Sequence, residues 1–304
     1  MAITVTPSGA ALGARIDGID LSQPLTPEQK AFVEKAFLQH LVLVISGQPY
    51  GQQELTRFGE LLGELELSAA KSYHDQRFPP VNVLSNIVVD GKPLGSADAG
   101  QVWHTDMSYN RIAGRATVLH AHKVPHRDGK ARGNTQFRNM QMAYENLPSP
   151  LRERIDAMEA VHSFEKVWQG MIDRGSKRPA FTQEQRIQKP AVVHPVVLAH
   201  PWTGKRALYV NRGMTDSIVG LPREESDSLL SLLFDHSERT DFAYSHEWRV
   251  GDTLIWDNCA SIHTATADYD TSMPRLMYRV QVLGNEDRYR QHNSALGGRF
   301  AVQS

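Results

Sequence analysis

Cysteine is almost missing from this chain: Cys259 is the single one in 304 residues. That excludes an intramolecular disulfide framework and any multi-cysteine zinc centre, so a metal held here must be held by His, Asp or Glu. An excess of charge is missing too. The formal net charge is −1 and the charged residues are spread along the chain, so nucleic acid is not an expected partner. No apolar run approaches the roughly 18 residues needed to cross a bilayer. The opening residues 1–6 have neither the basic nor the apolar stretch of a secretory leader. The expectation is a cytoplasmic protein without a membrane partner. Repeats, low-complexity tracts and Gly/Pro-rich linkers are absent as well, which favours one domain over 1–304.

What is present is an ordinary globular composition, 40% hydrophobic and 22% charged, able to bury a full core. Thr26 followed by Pro27 reads as a helix start, and Phe32, Val33, Ala36 and Phe37 fall at helical spacing, which predicts a helix over 27–40. The run Leu41-Val42-Leu43-Val44-Ile45 that follows is short, apolar and β-branched, as in a strand covered on both faces. Further helices are expected over 52–62, 140–147 and 148–158. Strands are expected over 81–89, 117–124, 191–198, 207–210, 253–256 and 276–283. Many short strands with helices placed early and in insertions predict a mainly β fold with helical cover, a sandwich or jelly roll. The stretch 169–189 carries many charges and little apolar period. It reads as a mobile surface segment, either a lid or a solvated excursion.

Chemistry concentrates in Trp103-His104-Thr105-Asp106-Met107. Read as a strand, this segment puts His104 and Asp106 on one side, as metal ligands, as an acid and base, or as buried hydrogen-bonding partners. Of thirteen histidines, His263 has the most suitable setting, at the end of an apolar strand and small-residue bend running from Gly251. Two histidines and a carboxylate form the facial set used for non-haem Fe(II), and the same types also serve catalytic zinc. Arg275 and Arg279 lie shortly after, in an apolar stretch where both would face one side. A buried guanidinium demands an anion. That anion is either a structural acid or a bound co-substrate.

Together these residues carry a resemblance to the family of iron(II)- and 2-oxoglutarate-dependent oxygenases that contains taurine dioxygenase and the phenoxyacetate-herbicide dioxygenases. It runs from Gly9-Ala10 and Gly18-Ile19-Asp20-Leu21 through Val44-Ile45-Ser46-Gly47-Gln48, Trp103-His104-Thr105-Asp106 and Gly133-Asn134-Thr135. It continues through His194-Pro195-Val196-Val197, His200-Pro201 and Leu208-Tyr209-Val210-Asn211 to Trp256-Asp257-Asn258 and His263. The resemblance implies a double-stranded β-helix, a cupin-like jelly roll, with Fe(II) on His104, Asp106 and His263. It implies 2-oxoglutarate with its far carboxylate on Arg275 and Thr135, and O₂ as the second co-substrate. Oxidation of a substrate C–H bond would accompany conversion of 2-oxoglutarate to succinate and CO₂. The anionic group of a small organic acid would fall to Arg279, with His74 and Met107 as further contacts. A homo-oligomer, dimer or tetramer, is implied as well.

Three departures bear on the substrate. Val167 stands in His162-Ser163-Phe164-Glu165-Lys166-Val167-Trp168 where a taurine enzyme offers a hydroxyl. The approach Ala99-Gly100-Gln101-Val102 is not amide-rich in the way that suits an amine-bearing substrate, and the loop 126–132, which leads into Thr135, is longer than the family's usual glycine turn. A larger, less polar acid walled by Trp168, Met107 and Tyr109 is therefore expected in preference to taurine. An alkylsulfonate or sulfate ester is the alternative within the family. A zinc hydrolase and a non-catalytic metal-binding protein are the alternatives outside it.

Overall fold

The computed structural model describes residues 2–67 and 77–293, and the backbone of 299–300. His74 lies outside the described residues.

The helix Pro27–His40 begins as expected. Thr26 accepts from the Gln29 backbone, and the Gln29 side chain accepts from the Thr26 backbone, so two otherwise orphaned donors are satisfied reciprocally. It stops at Leu41, which takes a left-handed φ of 64°. This turns the chain directly into the strand Val42–Ile45. That strand sits inside a seven-stranded sheet ordered Thr4–Pro7, Ala14–Asp17, Val42–Ile45, Thr253–Asp257, Ala116–Lys123, Leu276–Val282 and Asn82–Ser85.

Alternation along these strands sorts the core into two layers. Leu43, Ile45, Val118, Ile255, Val280 and Val282 pack against Val33, Phe37, Leu55 and Phe58 of the helices Pro27–His40 and Gln52–Glu60. Val42, Val44, Leu119, Leu254, Trp256 and Met277 point the other way. They meet Phe137 from a second, three-stranded sheet, Ala243–His246, Thr135–Asn139 and Ser261–Ala265, and Ala260 from the turn just before its last strand. Two sheets enclosing one core, one of them backed by helices, form the expected jelly roll. A further sheet orders Thr215–Ile218, Glu159–His162, Val192–Pro195 and Arg299–Phe300. No helix among the described residues is long and apolar enough to cross a membrane.

Three points depart from the sequence reading, two as corrected expectations and one as a pair of unanticipated helices. First, the stretch 169–189 is largely structured. The helix Phe164–Asp173 runs into it, and Gln183–Gln188 forms a second helix with a capping box at Thr182. Ion pairs tie it down, Arg178 to Asp98 at 2.6 Å, Arg186 to Glu165 at 2.5 Å and Lys189 to Glu66 at 3.6 Å. The charges that diluted its apolar period are the residues that fasten it. Second, Arg223–Ser237 and Glu286–Asn293 are helical. The first buries Leu229, Leu230, Leu233 and Phe234, a helical stripe unrecognised in the sequence. Third, His104 and Asp106 do not lie on a strand. His104 makes a single bridge and Asp106 opens a turn.

Among the buried polar groups, His120 and His194 are each lowered from the ordinary 6.5 to about 4, chiefly by burial, with His122 adding to the effect on His120. Their folded values lie below the unfolded one, so protons bind the unfolded chain first as pH falls. Stability is therefore full above about pH 6.5 and declines through the interval down to about 4. Urea unfolding at pH 7.5 and 5.5 should show a loss of about 1 kcal/mol per histidine, and His194→Gln should flatten the dependence. An unfolding midpoint indifferent to pH over that interval would show that neither ring is held neutral by the fold.

Candidate metal and co-substrate site

The site is assembled by backbone exchange. His104 N–H donates to the His263 carbonyl at 3.0 Å, and His263 N–H donates to the His104 carbonyl at 2.8 Å. This places the loop ahead of Asp106 against the strand Ser261–Ala265, where His263 sits inside the strand and not past its end, opposite Phe137. The chain then turns sharply at Met107, whose φ is 60°, and the turn swings Asp106 back toward both rings. Asp106 Oδ1 is 3.7 Å from His104 Nε2, and Oδ2 is 3.8 Å from His263 Nε2. One ligand atom from each of the three lies within 4.8 Å of the others, all three residues being buried.

The protonation states suit a cation. His104 Nδ1 is 2.8 Å from the Val102 carbonyl, which can only accept, so that nitrogen carries the proton and Nε2 presents its lone pair. His263 has no hydrogen bond at Nδ1 and is held by packing, 4.8 Å from Trp256 and 5.9 Å from Phe137 between ring centres. Burial, reinforced by His104, pushes His263 down to about 3. At Asp106 burial works the other way, but the Arg279 guanidinium and the two imidazoles overcome it and hold the carboxyl well below the usual range. Two imidazoles and an ionised carboxylate, without a thiolate, are the donor set of a non-haem iron(II) site.

A relay fixes the carboxylate. Thr117 Oγ1 donates to Asp106 Oδ2 at 2.7 Å, and Asn258 Nδ2 donates to Thr117 Oγ1 at 3.1 Å. Neither was singled out as a site residue from the sequence. Thr117 does lie on the same strand face as Leu119 and Ala121, which point into the inter-sheet core. Replacing Thr117 by Val, which keeps the shape and removes the donor, should weaken Mn(II) or Fe(II) affinity by about tenfold to a hundredfold. Calorimetric titration of the metal-free protein checks this, and an unchanged affinity would show that packing alone orients Asp106.

Arg275 and Thr135 occupy one neighbourhood. Arg275 lies one residue before the strand Leu276–Val282, its N–H donating to Asn86 Oδ1 and its carbonyl accepting from Ser85 Oγ, each at 2.8 Å. Arg275 is 7% exposed as a residue, and its guanidinium forms no ion pair with an acidic residue among the described residues and leaves Nε without a hydrogen bond. Burial lowers its pKa from the usual arginine value. Gly133, with φ 72°, closes on this group: a Cβ there would lie 3.3 Å from Arg275 Nε. Two residues on, Thr135 Oγ1 accepts from Trp248 Nε1 at 3.0 Å, which leaves the hydroxyl proton free to donate.

The other candidates spread outward. Arg279 shares a strand face with Met277, and its Nη1 is 3.5 Å from Asp106 Oδ1. Met107 is fully buried, with its side chain against Gly114. Tyr109 is partly exposed, its ring 4.8 Å edge-on from Phe164 and 4.9 Å below the Lys189 ammonium. Trp168 packs on Phe164 and Phe181 and donates to the Pro179 carbonyl at 2.8 Å, within the 169–189 stretch. A cavity of about 550 Å³ lined by Tyr50, Glu54, His120 and His122 opens elsewhere, and no member of the triad lines it.

These features place three residues able to hold a metal ion near a buried arginine on a jelly roll, and the chain as a whole is similar to known proteins. The sequence profile of the taurine catabolism dioxygenase TauD, TfdA family matches residues 4–281. The chain is 30% identical to an alpha-ketoglutarate-dependent 2,4-dichlorophenoxyacetate dioxygenase of Burkholderia sp. (strain RASC), over 90% of this chain and 92% of that one. It is 31% identical to an alpha-ketoglutarate-dependent sulfate ester dioxygenase of Pseudomonas putida, over 93% and 90% respectively. Among solved structures, AAD-2 in complex with Mn(II) and N-oxalylglycine superposes with a TM-score of 0.78 at 26% identity, over 94% of this chain and 99% of that one. The chain belongs to the taurine catabolism dioxygenase TauD, TfdA family. It is an Fe(II)- and 2-oxoglutarate-dependent dioxygenase.

Proposed function

We propose that His104, Asp106 and His263 hold the iron, that Arg275 and Thr135 hold the far carboxylate of 2-oxoglutarate, and that Arg279 receives the anionic group of the organic substrate. The observation that carries this is the buried Arg275 guanidinium, which has no acidic partner among the described residues. Burying a cation so deeply is costly unless an anion completes it, and a dicarboxylate reaching from a metal on the triad supplies one. Charge balance points the same way. Two arginines and Asp106 leave one positive charge, and a divalent ion raises it to a level that a dianionic co-substrate and a monoanionic acid together neutralise.

Bound iron supplies O₂ activation coupled to decarboxylation of 2-oxoglutarate to succinate and CO₂, with oxidation of a substrate C–H bond. The protein's own residues orient and exclude. Thr117 and Asn258 aim the carboxylate of Asp106, Val102 fixes the His104 tautomer, and Trp256 and Phe137 wall His263 from one side. Arg279, next to Asp106, can fix an acid head group within reach of the metal. The aromatic series Tyr109, Phe164, Trp168 and Phe181 extends from that point, and Val167 is buried and offers no donor. These features support hydroxylation of a larger, weakly polar organic acid, with the stretch 169–189 as cover over its approach. The relatives named for a phenoxyacetate and a sulfate ester are consistent with an anionic head on an apolar body. A cytoplasmic homo-oligomer, a dimer or tetramer, completes the reading, and analytical ultracentrifugation tests its assembly.

Succinate release measured over a panel of aryloxy and alkyl carboxylates, sulfate esters and taurine should respond to an apolar acid and least to taurine. In Arg279→Ala the KM for that acid should rise about a hundredfold with the KM for 2-oxoglutarate little changed, and Asp106→Ala should abolish turnover. Equal losses for both KM values would remove Arg279 from the substrate role, and strong turnover of taurine would overturn the substrate class.

A further inference from the structure

The loop 126–132 is longer than the sequence resemblance called for, and it is laced to the exposed loop that follows Ala265. Thr266 N–H donates to the Asn134 carbonyl at 2.8 Å, and Gly133 N–H donates to Asp268 Oδ1 at 2.8 Å. Arg132 lies 3.5 Å from Asp268, and Arg127 pairs with Asp270 at 2.8 Å. Tyr269 is the residue between the two braced aspartates. Its neighbours Asp268 and Asp270 are exposed, whereas Tyr269 itself is partly buried. Its ring turns inward onto Gly133, where a Cβ would come within 3.0 Å of it, and its centre lies 5.9 Å from the Arg275 guanidinium carbon. Gly133 is thus the common floor on which the Tyr269 ring and Arg275 Nε meet; a Cβ there would crowd both, and the positive φ of 72° itself favours glycine.

From this geometry we propose that Tyr269 is a positioning residue for the co-substrate, its ring laid beside the Arg275 guanidinium to hold that cation toward the far carboxylate of 2-oxoglutarate. The proposal rests on the reading of Arg275 given above. Arg275 has no acid to steer its guanidinium among the described residues. A cation within about 6 Å of an aromatic centre is attracted by the ring's electron-rich face, more so when both are out of water. The acids nearest to Tyr269 in sequence are engaged elsewhere: Asp268 accepts from Gly133 and Thr266, and Asp270 accepts from Arg127 and Ser272. The paired aspartates therefore orient the loop without competing for Arg275. Tyr269 engages the guanidinium through its hydroxyl, which favours the charged form, as well as through the ring beside it, and a neutral phenol leaves the ion-pairing capacity of Arg275 to the ligand.

The test is equilibrium binding, free of turnover. The full-length Mn(II)-loaded protein is titrated anaerobically by calorimetry with 2-oxoglutarate and with 2-oxobutyrate, which shares the keto-acid end but lacks the far carboxylate. Tyr269→Leu should raise the Kd for 2-oxoglutarate roughly tenfold and move that for 2-oxobutyrate by less than about twofold, and Tyr269→Phe, which keeps the ring and loses the hydroxyl, should recover part of the difference. Arg275→Ala is the control for the underlying assignment. If it leaves the 2-oxoglutarate Kd unchanged, the assignment of Arg275 fails. If it weakens 2-oxoglutarate selectively while Tyr269→Leu does not, the Tyr269 proposal alone is overturned. Equal weakening of both acids in Tyr269→Leu, or a Phe variant that behaves as Leu does, would likewise overturn it.

Discussion

The reciprocal pair of hydrogen bonds between the backbones of His104 and His263 is the contact on which the site depends. It joins a loop from the middle of the chain to a strand near its end, and it does so at the two residues whose side chains must converge. Because the exchange uses main-chain groups, it spends no side-chain polarity, and both imidazoles remain available as ligands. The turn at Met107 then brings Asp106 back to the same point. Without that bridge the segment carrying His104 and Asp106 and the strand carrying His263 have no reason to meet.

Around this contact the fold divides labour between its two sheets. The seven-stranded sheet is backed by helices on one face, and its other face carries Thr117 and Arg279 toward the metal site. The three-stranded sheet supplies His263 and Thr135 from adjacent strands. Of the proposed site residues, His263, Thr135 and Arg279 are thus fixed by paired strands, whereas His104 and Asp106 lie on a bridge and a turn. The groups expected to shape substrate choice, Tyr109, Trp168 and the 169–189 stretch, sit on turns and short helices bound by ion pairs. Such an arrangement keeps the chemistry constant while leaving the approach open to variation.

Electrostatics give the site its direction. Buried acids normally shift toward neutrality, yet Arg279 and two imidazoles keep Asp106 ionised, and the same burial keeps His263 neutral. Arg275 is the converse case, a buried cation whose complement is not an acidic side chain among the described residues. One imbalance is internal and serves the metal. The other is open to an anion from outside the chain, as in the role proposed for Arg275.

Much of this was legible in the residues. The helix Pro27–His40 announced itself through its cap and apolar spacing, the strand Val42–Ile45 through its β-branched run, and the ligand set through residue types that only a few metals accept. Such signals are local, and local signals survive in one dimension. What only the tertiary structure decided was how those residues meet. The His-x-Asp segment reads as a strand by its β-branched neighbours but is a bridge and a turn, because its partner is His263 and the Met107 backbone takes a left-handed conformation no periodicity reports. Thr117, Asn258 and Tyr269 carry no mark of their own. Their roles come from a strand face, a bend and a braced loop that lie far apart in sequence, and proximity created by folding leaves no pattern in the order of residues.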